Sequence, residues 1–363
     1  MTAATGKNPC SPTGCSTCNT GIQNSSHQCS CSTDTCGKSE ILRTDSIIRQ
    51  TDHLDHLLAR LGVNRMGHRV KPGIYRIGNP TEESPVFASA NYTLSFDALR
   101  GSLAGIDGFI LVLDTKGINV WCAAGKGTFG TDELVNRIVS SGLASVVCHR
   151  RIIVPQLGAP GIASHEVQRR TGFRVDYGPV RAADLPEYLS NAKASPEMRR
   201  VSFPLHDRLV LAPVELVHVA LPAIIIATAL WFLAGQIASI AAVAAVLTGT
   251  VVFPALLPYL PTRDYSTKGL ILGGVVAIPF SFVYPGYPGL PGWAGILSAL
   301  APLLIIPAVT AYLALNFTGS TPYPSRTGVK KEIFRYVPLM VIMAASGVVL
   351  GIIPGLLRLA GVI

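Results

Sequence analysis

The sequence predicts an α/β domain followed by an all-α domain of five membrane-spanning helices. Three observations predict it. Charge is segregated: residues 1–212 carry 23 of the 30 Lys/Arg and 18 of the 21 Asp/Glu, leaving only Glu215, Asp264 and Glu332 as acids beyond. Five long apolar segments occupy that acid-poor half, and before them strand-like runs alternate with helical ones. A net charge of +9 beside a mean hydropathy of +0.41 reflects this division, and 363 residues are enough for two domains. We place the boundaries at 1–40, 41–208 and 209–363.

Residues 1–40 are rich in Ser, Thr, Asn, Gly and Cys, cannot bury a core, and read as a disordered tail. The tail holds Cys10, Cys15, Cys18, Cys29, Cys31 and Cys36. Cys10-x4-Cys15-x2-Cys18 echoes a plant-type iron–sulfur spacing, and Cys29-x-Cys31 suits a soft-metal clip. A flexible thiol-rich tail, a metal-capturing or metal-delivering one and a folded cluster domain all stay open. With no apolar core in this segment, no signal peptide is expected.

From Glu40 to about Gly62 a helical pattern sets Leu54, Leu57, Leu58 and Leu61 on one face, with His53 and His56 read as solvent-exposed. Runs at 74–77, 86–94, 109–113, 145–148, 151–154 and 173–177 read as strands. Helical stretches at about 95–103, 132–141, 161–171 and 182–191 fall among them. Thr131, Asp132 and Glu133 make a helix start and Gly142 a stop. Such alternation predicts a largely parallel sheet, whose ligands sit where strand ends meet the next loop.

The apolar segments near 213–234, 236–260, 268–284, 292–315 and 335–357 match the roughly 20 residues a helix needs to span hydrocarbon. Pro279 interrupts the third. Arg199, Arg200, Arg208, Arg263, Lys268, Arg326, Lys330, Lys331 and Arg335 all fall in connections that alternate with uncharged ones. This places the N-terminal domain in the cytoplasm and the chain in the cytoplasmic membrane, as a multi-pass protein. Ionisable side chains inside the spans are nearly absent, Glu215 and His218 lying at the start of the first, so an anchor is favoured over a transport path.

Candidate chemistry concentrates in Asn119-Val120-Trp121-Cys122-Ala123-Ala124-Gly125-Lys126. Asn119 is placed to cap a short helix whose first turn carries Cys122, where unpaired N–H groups favour an anion. A thiolate there would ligate a metal or attack an electrophile; a small buried hydrophobe is the alternative. No His/Cys partners at finger spacing support a zinc site, and a Cys–His hydrolase would need His149 or His165 nearby. Gly125-Lys126-Gly127-Thr128-Phe129-Gly130 matches G-x-G-x-x-G, but no acid follows about 20 residues on, as a dinucleotide site would want. Small residues and glycines also mark strand ends at Ala90–Thr93, Gln156–Gly161 and Tyr177–Arg181. They suit a broad, flat ligand rimmed by amides, or ordinary turn chemistry.

The octapeptide resembles the signature of the HgcA family, the membrane-anchored corrinoid proteins of mercury methylation, at all eight positions. The order of domains is similar over roughly 70–363. More distantly, the soluble part is similar to the corrinoid domain of the corrinoid iron–sulfur proteins of acetyl-CoA synthesis. The resemblance implies a Rossmann-like corrinoid-binding domain over 41–208, with the Cys122 thiolate as lower axial ligand of the cobalt of a cobalamin. It implies a corrinoid-dependent methyltransferase of anaerobic one-carbon metabolism that passes a methyl group to Hg(II), forming methylmercury. A corrinoid methyl carrier with a different acceptor is the alternative. Candidate cofactor contacts are Asn91, Thr93, Asn119, Val120, Trp121, Ala123, Ala124, Gly125, Lys126, Gly127, Cys148, His149, Gln156, Leu157, Gly158, Gly178, Pro179 and Val180. Implied partners are an HgcB-like ferredoxin with two 4Fe–4S clusters and a methyl-folate donor acting through a methyltransferase; no nucleic acid is expected. Hg(II) is soft and seeks thiolates, so the six tail cysteines could hand it over.

Overall fold

The computed structural model describes residues 40–64, 66–283 and 291–359. The six tail cysteines lie outside the described residues. The chain divides into two compact units, one reaching Val201 and one beginning at Ser202, with Arg60–Gly62 grouped with the second.

The first unit is an α/β domain. Its strands are β1 (Leu42–Thr44), β2 (Gly73–Ile77), β3 (Val86–Ala90), β4 (Gly108–Leu113), β5 (Arg151–Val154) and β6 (Arg174–Tyr177). Its helices are α1 (Gln50–Arg60), α2 (Thr93–Ser102), α3 (Val120–Lys126), α4 (Thr131–Ser140), α5 (Leu143–Val146), α6 (Ser164–Thr171) and α7 (Leu185–Asn191). The strands lie in the order β1-β2-β4-β3-β5-β6. Every residue of β3 and β4 is buried, as expected of central strands covered on both faces. One face packs Ala88, Ala90, Leu111 and Leu113 against Leu134, Ile138 and Val167 of α4 and α6. The other packs Phe87, Ile110 and Val112 against Phe96 and Leu99 of α2 and Leu185 and Tyr188 of α7.

The sheet is largely parallel, as the sequence predicts: β4, β3, β5 and β6 are parallel and β1 is parallel to β2 at the edge, while β2 runs antiparallel to β4. The structure departs from the sequence reading elsewhere. Residues 40–49 hold β1, the helix starting only at Gln50. The run at 145–148 is the end of the short α5 and a bend, not a strand. Of the leucines read on one face, Leu54 and Leu57 are 56 % and 48 % exposed, while Leu58 and Leu61 are half-buried. The helix is held by its polar face.

That polar face docks α1 and the preceding segment onto α2. Arg100, 6 % exposed, donates from Nε to Asp97 Oδ1 (2.6 Å), from Nη2 to Asp52 Oδ2 (2.7 Å) and from Nη1 to Ile47 O (2.7 Å). His56, expected in solvent, is 2.7 Å from Asp97 Oδ2 with only 14 % of its side chain exposed. His68 lies with Nδ1 2.7 Å from Asp55 Oδ1 and Nε2 2.7 Å from Val63 O. Both partners only accept, so both ring nitrogens donate and the imidazole is held charged. The Val63 carbonyl, then Asp55, raises its pKa above the ordinary 6.5. The Arg49 amide, then Arg100, lowers Asp52, while the Arg49 side chain lowers Asp45.

These shifts fix a pH profile. The His68 contribution is complete below its unfolded pKa and is lost as pH rises through the raised folded value. The Asp45 and Asp52 contributions are complete above the unfolded carboxylate value and are lost as pH falls through the lowered folded ones. Thermal melts of the full chain in detergent should therefore decline above pH 6.5, and His68→Gln should flatten that limb. An unchanged alkaline limb in His68→Gln would remove the assignment.

Among the described residues, the second unit holds five helices long and apolar enough to cross a membrane: Leu205–Ala234, Gln236–Leu256, Tyr265–Val283, Gly292–Ser320 and Arg326–Pro354. In element terms these are α8 (Leu205–Ala234); α9 (Gln236–Leu247) with a π-turn at Thr248–Val252 and α10 (Phe253–Leu256); α11 (Tyr265–Val283); α12 (Gly292–Phe317); and α13 (Arg326–Leu359). Half of the most apolar stretch of α12 is buried but only 6 % of that of α8, so α12 is central and α8 peripheral. Polar groups serve helix ends. Glu332 accepts from the Tyr265 and Ser266 amides at the start of α11 (3.3 and 3.1 Å), and Arg208 Nη1 donates to Pro254 O and Ala255 O (2.9 and 2.6 Å). Each supplies a partner that the helix cannot supply itself. Glu215 accepts from the Ser320 hydroxyl, and His218 Nδ1 meets Val214 O.

Candidate functional site

Strand order locates the site. From β3 the chain passes through α2 to β4 on one side, then returns through α3, α4 and α5 to β5 on the other side of β3. Between β3 and β5 the winding reverses, and a crevice opens beyond the strand ends at such a switch point. A cleft of about 360 Å³ is found there. Its walls are Phe87–Ser89 of β3, Ser95, Ala98 and Leu99 of α2, Asn119–Trp121, Ile153, Pro155 and Leu157 around β5, Gly178–Val180 after β6, and Ala182 and Leu185. None of these carries a charge.

The Cys122 turn borders this cleft. Asn119, with extended backbone at φ −62° and ψ 158°, caps α3: its side chain accepts the Cys122 N–H at 2.9 Å. Such a cap contributes about 1 kcal/mol to its helix. Cys122 is a free, half-buried thiol. It follows Trp121, which lines the cleft and is 41 % exposed, whereas Ala123 and Ala124 turn inward onto the sheet. Gly127, at φ 83°, ends the helix in the left-handed conformation, which favours glycine. At Gly130 a Cβ would strike the Gly127 carbonyl. Two of the three motif glycines thus shape the α3–α4 turn, and Gly125 lies exposed outside the cleft.

The structure brings together part of the predicted set. Asn119, Val120, Trp121, Leu157, Gly178, Pro179 and Val180 line the cleft. Lys126 and Gly127 are exposed beyond it. Asn91 is buried beneath the loop before α3, and the Thr93 amide donates to His68 O. Gln156 accepts from Arg199 Nη1 at 2.7 Å, and Gly158 packs where a Cβ would meet the Phe129 ring. Cys148 and His149 are not brought to the site. They precede β5, where the Cys148 amide donates to Glu82 O and His149 Nε2 lies 2.9 Å from Ser84 O, both ahead of β3. That is the amino end of the parallel strands, opposite the cleft. Sequence reasoning missed Phe87, Ala88, Ser89, Ser95, Ala98, Leu99, Ile153, Pro155, Ala182 and Leu185; a run of small residues near one strand end was their only signal.

The region holding this site has relatives. Residues 48–189 match the family described as CO dehydrogenase/acetyl-CoA synthase delta subunit. The chain is 35 % identical over 127 residues to the acetyl-CoA decarbonylase/synthase complex subunit gamma of Methanopyrus kandleri, covering 34 % of this chain and 27 % of that protein. It is 34 % identical over 127 residues to the same subunit of Methanothermobacter thermautotrophicus, with the same coverage. For the Methanocaldococcus jannaschii subunit the identity is 31 % over 129 residues, 35 % of this chain and 26 % of that protein. The chain thus spans about a quarter of the length of the curated relatives it matches.

Proposed function

We propose that this chain is a membrane-anchored corrinoid protein that carries a methyl group and delivers it to Hg(II), with the Cys122 thiolate as the protein ligand that would hold its cobalt. The observation that carries the reading is the Asn119-capped Cys122 turn beside an uncharged cleft at the switch point of an α/β sheet. The donor set fits such a cofactor. Among the described residues no three His, Cys, Asp or Glu gather to hold a metal ion. One free thiol is what a metal already ringed by a macrocycle requires. Apolar walls suit its bulk, the cleft receiving one edge or appendage of it.

When bound, the corrinoid supplies a cobalt centre that accepts and releases a methyl group, the hard step that a cofactor takes over from the protein. The chain's residues prepare that step. Asn119 fixes the turn that aims the thiol, Cys122 would hold the metal, and the largely apolar walls exclude water. A thiolate holding the metal would supply electron density to it, as the Cys thiolate of some haem proteins does to iron. The relatives, subunits of acetyl-CoA decarbonylase/synthase complexes, support methyl carriage in one-carbon metabolism; the octapeptide resemblance supports mercury as acceptor. On this reading the five apolar helices span the cytoplasmic membrane, an HgcB-like ferredoxin with 4Fe–4S clusters returns electrons, and a methyl-folate system supplies the methyl. Cys10, Cys15, Cys18, Cys29, Cys31 and Cys36 collect the soft substrate ion.

A second reading, a methyl carrier for a different acceptor, is favoured by the names of the relatives. Both are tested by loading the full chain anaerobically with cobalamin, methylating it, and adding Hg(II). One corrinoid per chain and stoichiometric methylmercury are expected. Binding without methylmercury would transfer the proposal to the second reading, and absence of bound corrinoid would end both.

A further inference from the structure

Asn91 was counted above among the cofactor contacts, yet it is 3 % exposed and lines no part of the cleft. It follows β3, and its side chain is spent on the loop between β4 and α3. Nδ2 donates to Asp114 Oδ1 at 3.1 Å. Oδ1 accepts the backbone N–H of Thr115 at 3.1 Å and of Gly117 at 2.9 Å. The Thr115 hydroxyl lies 2.9 Å from the same oxygen and 2.7 Å from Ile118 O, and its one proton serves one of them at a time. With a carboxylate on one side and amide donors on the other, the carboxamide has a single workable orientation.

The loop it grips needs holding. Lys116 at φ 58° and Gly117 at φ 72° both stand in the left-handed region, where a non-glycine residue such as Lys116 is disfavoured. Two residues later comes Asn119, whose carboxamide holds the Cys122 amide. The two carboxamides act in series, Asn91 fixing the loop and Asn119 the helix that the loop delivers.

We propose that Asn91 is the positioning residue for Cys122, setting where the thiol stands through the 114–118 loop and touching no ligand. Its functional meaning rests on the corrinoid reading; its structural test does not. The test is a timed pulse of iodoacetamide on the unloaded full chain in detergent, with labelling read by mass spectrometry on the Cys122 peptide. Losing one such anchoring bond typically shifts a local opening equilibrium about tenfold, so Asn91→Ala should label about ten times faster. Leu103→Ala, a truncation in the core on the other side of the sheet, should leave the Cys122 rate unchanged. Asn91→Asp sets two carboxylates together, and adding Asp114→Asn restores a donor–acceptor pair, so the double variant should label more slowly than Asn91→Asp. This pair also serves if Asn91→Ala fails to fold. Unchanged labelling in the Asn91 variants, or an equal rise in Leu103→Ala, would overturn the inference. With cobalamin added, Asn91→Ala should bind one equivalent yet lose the part of the visible spectrum that depends on Cys122; retention of that part would also overturn it. A parent chain that binds no cobalamin would defeat the corrinoid reading and leave the labelling result standing.

Discussion

Cys122→Ala should abolish most methyl transfer while leaving the fold and the apolar cleft in place. Residue 122 is half-buried in the first turn of a capped helix, and the Asn119 bond is made to its backbone amide, which alanine retains. Helix propensity rises slightly with the change, so melting should not fall. The loss is confined to the donor atom. A donor contributing about 3 kcal/mol in the transition state corresponds to roughly a hundredfold in rate. Cobalamin should still bind, with an altered visible spectrum, because the cleft walls are untouched. Cys122→His offers a neutral nitrogen donor and should bind while transferring slowly. Parent-like rates in Cys122→Ala would remove the thiolate from the mechanism, whatever the spectrum.

The second large effect lies in the first unit, away from the cleft. Arg100→Ala should cost about 3–5 kcal/mol, because breaking a buried ion pair leaves uncompensated charge behind. Asp97, 4 % exposed, would lose its guanidinium partner, and Asp52 and the Ile47 carbonyl would lose theirs. Arg100→Lys should recover little, since one ammonium cannot reach acceptors spread over Asp97, Asp52 and the Ile47 carbonyl. Since Leu54 and Leu57 of α1 are exposed, little apolar packing compensates. Limited proteolysis should then cut first within 45–60, before the sheet opens. A loss below about 1 kcal/mol in denaturant melts of the full chain would show that this network is ornamental.

The legible and illegible parts of this molecule divide by sequence range. The α3 cap was readable because Asn119 and Cys122 are three residues apart, and the Gly142 stop because a helix end is local. Apolar length alone indicated the five helices of the second unit. Cys148 and His149 were misplaced for one reason: reading 145–148 as a strand made them a strand end facing ligand, whereas α5 makes them the lead-in to β5. His56 reads as solvent-exposed in the sequence because its partner is not local: His56 and Asp52 meet Asp97 and Arg100 of α2, which lie 41 and 48 residues away. The cleft walls were illegible for the same cause. Ser89, Ser95 and Ala98 become a surface only when β3 and α2 fold past β5, and no local pattern marks small residues that meet in space.

Consider finally the reversal at β2. Because β2 runs against β4, the chain entering it arrives at the cleft end of the sheet, where Arg69 bridges to Tyr92 and the Val70 amide donates to Asn91 O. This seals one flank with backbone pairing, next to the turn that Asn91 clamps. The other flank carries Gly178–Val180, held by the backbone bonds Gly178 N to Val154 O (2.9 Å), Gln156 N to Pro179 O (3.3 Å) and Val180 N to Met198 O (2.8 Å). For a bulky cofactor held as proposed, Gly178–Val180 would be the wall to displace on loading and release, so its residence time would follow the mobility of that turn, independently of how firmly the thiol is set.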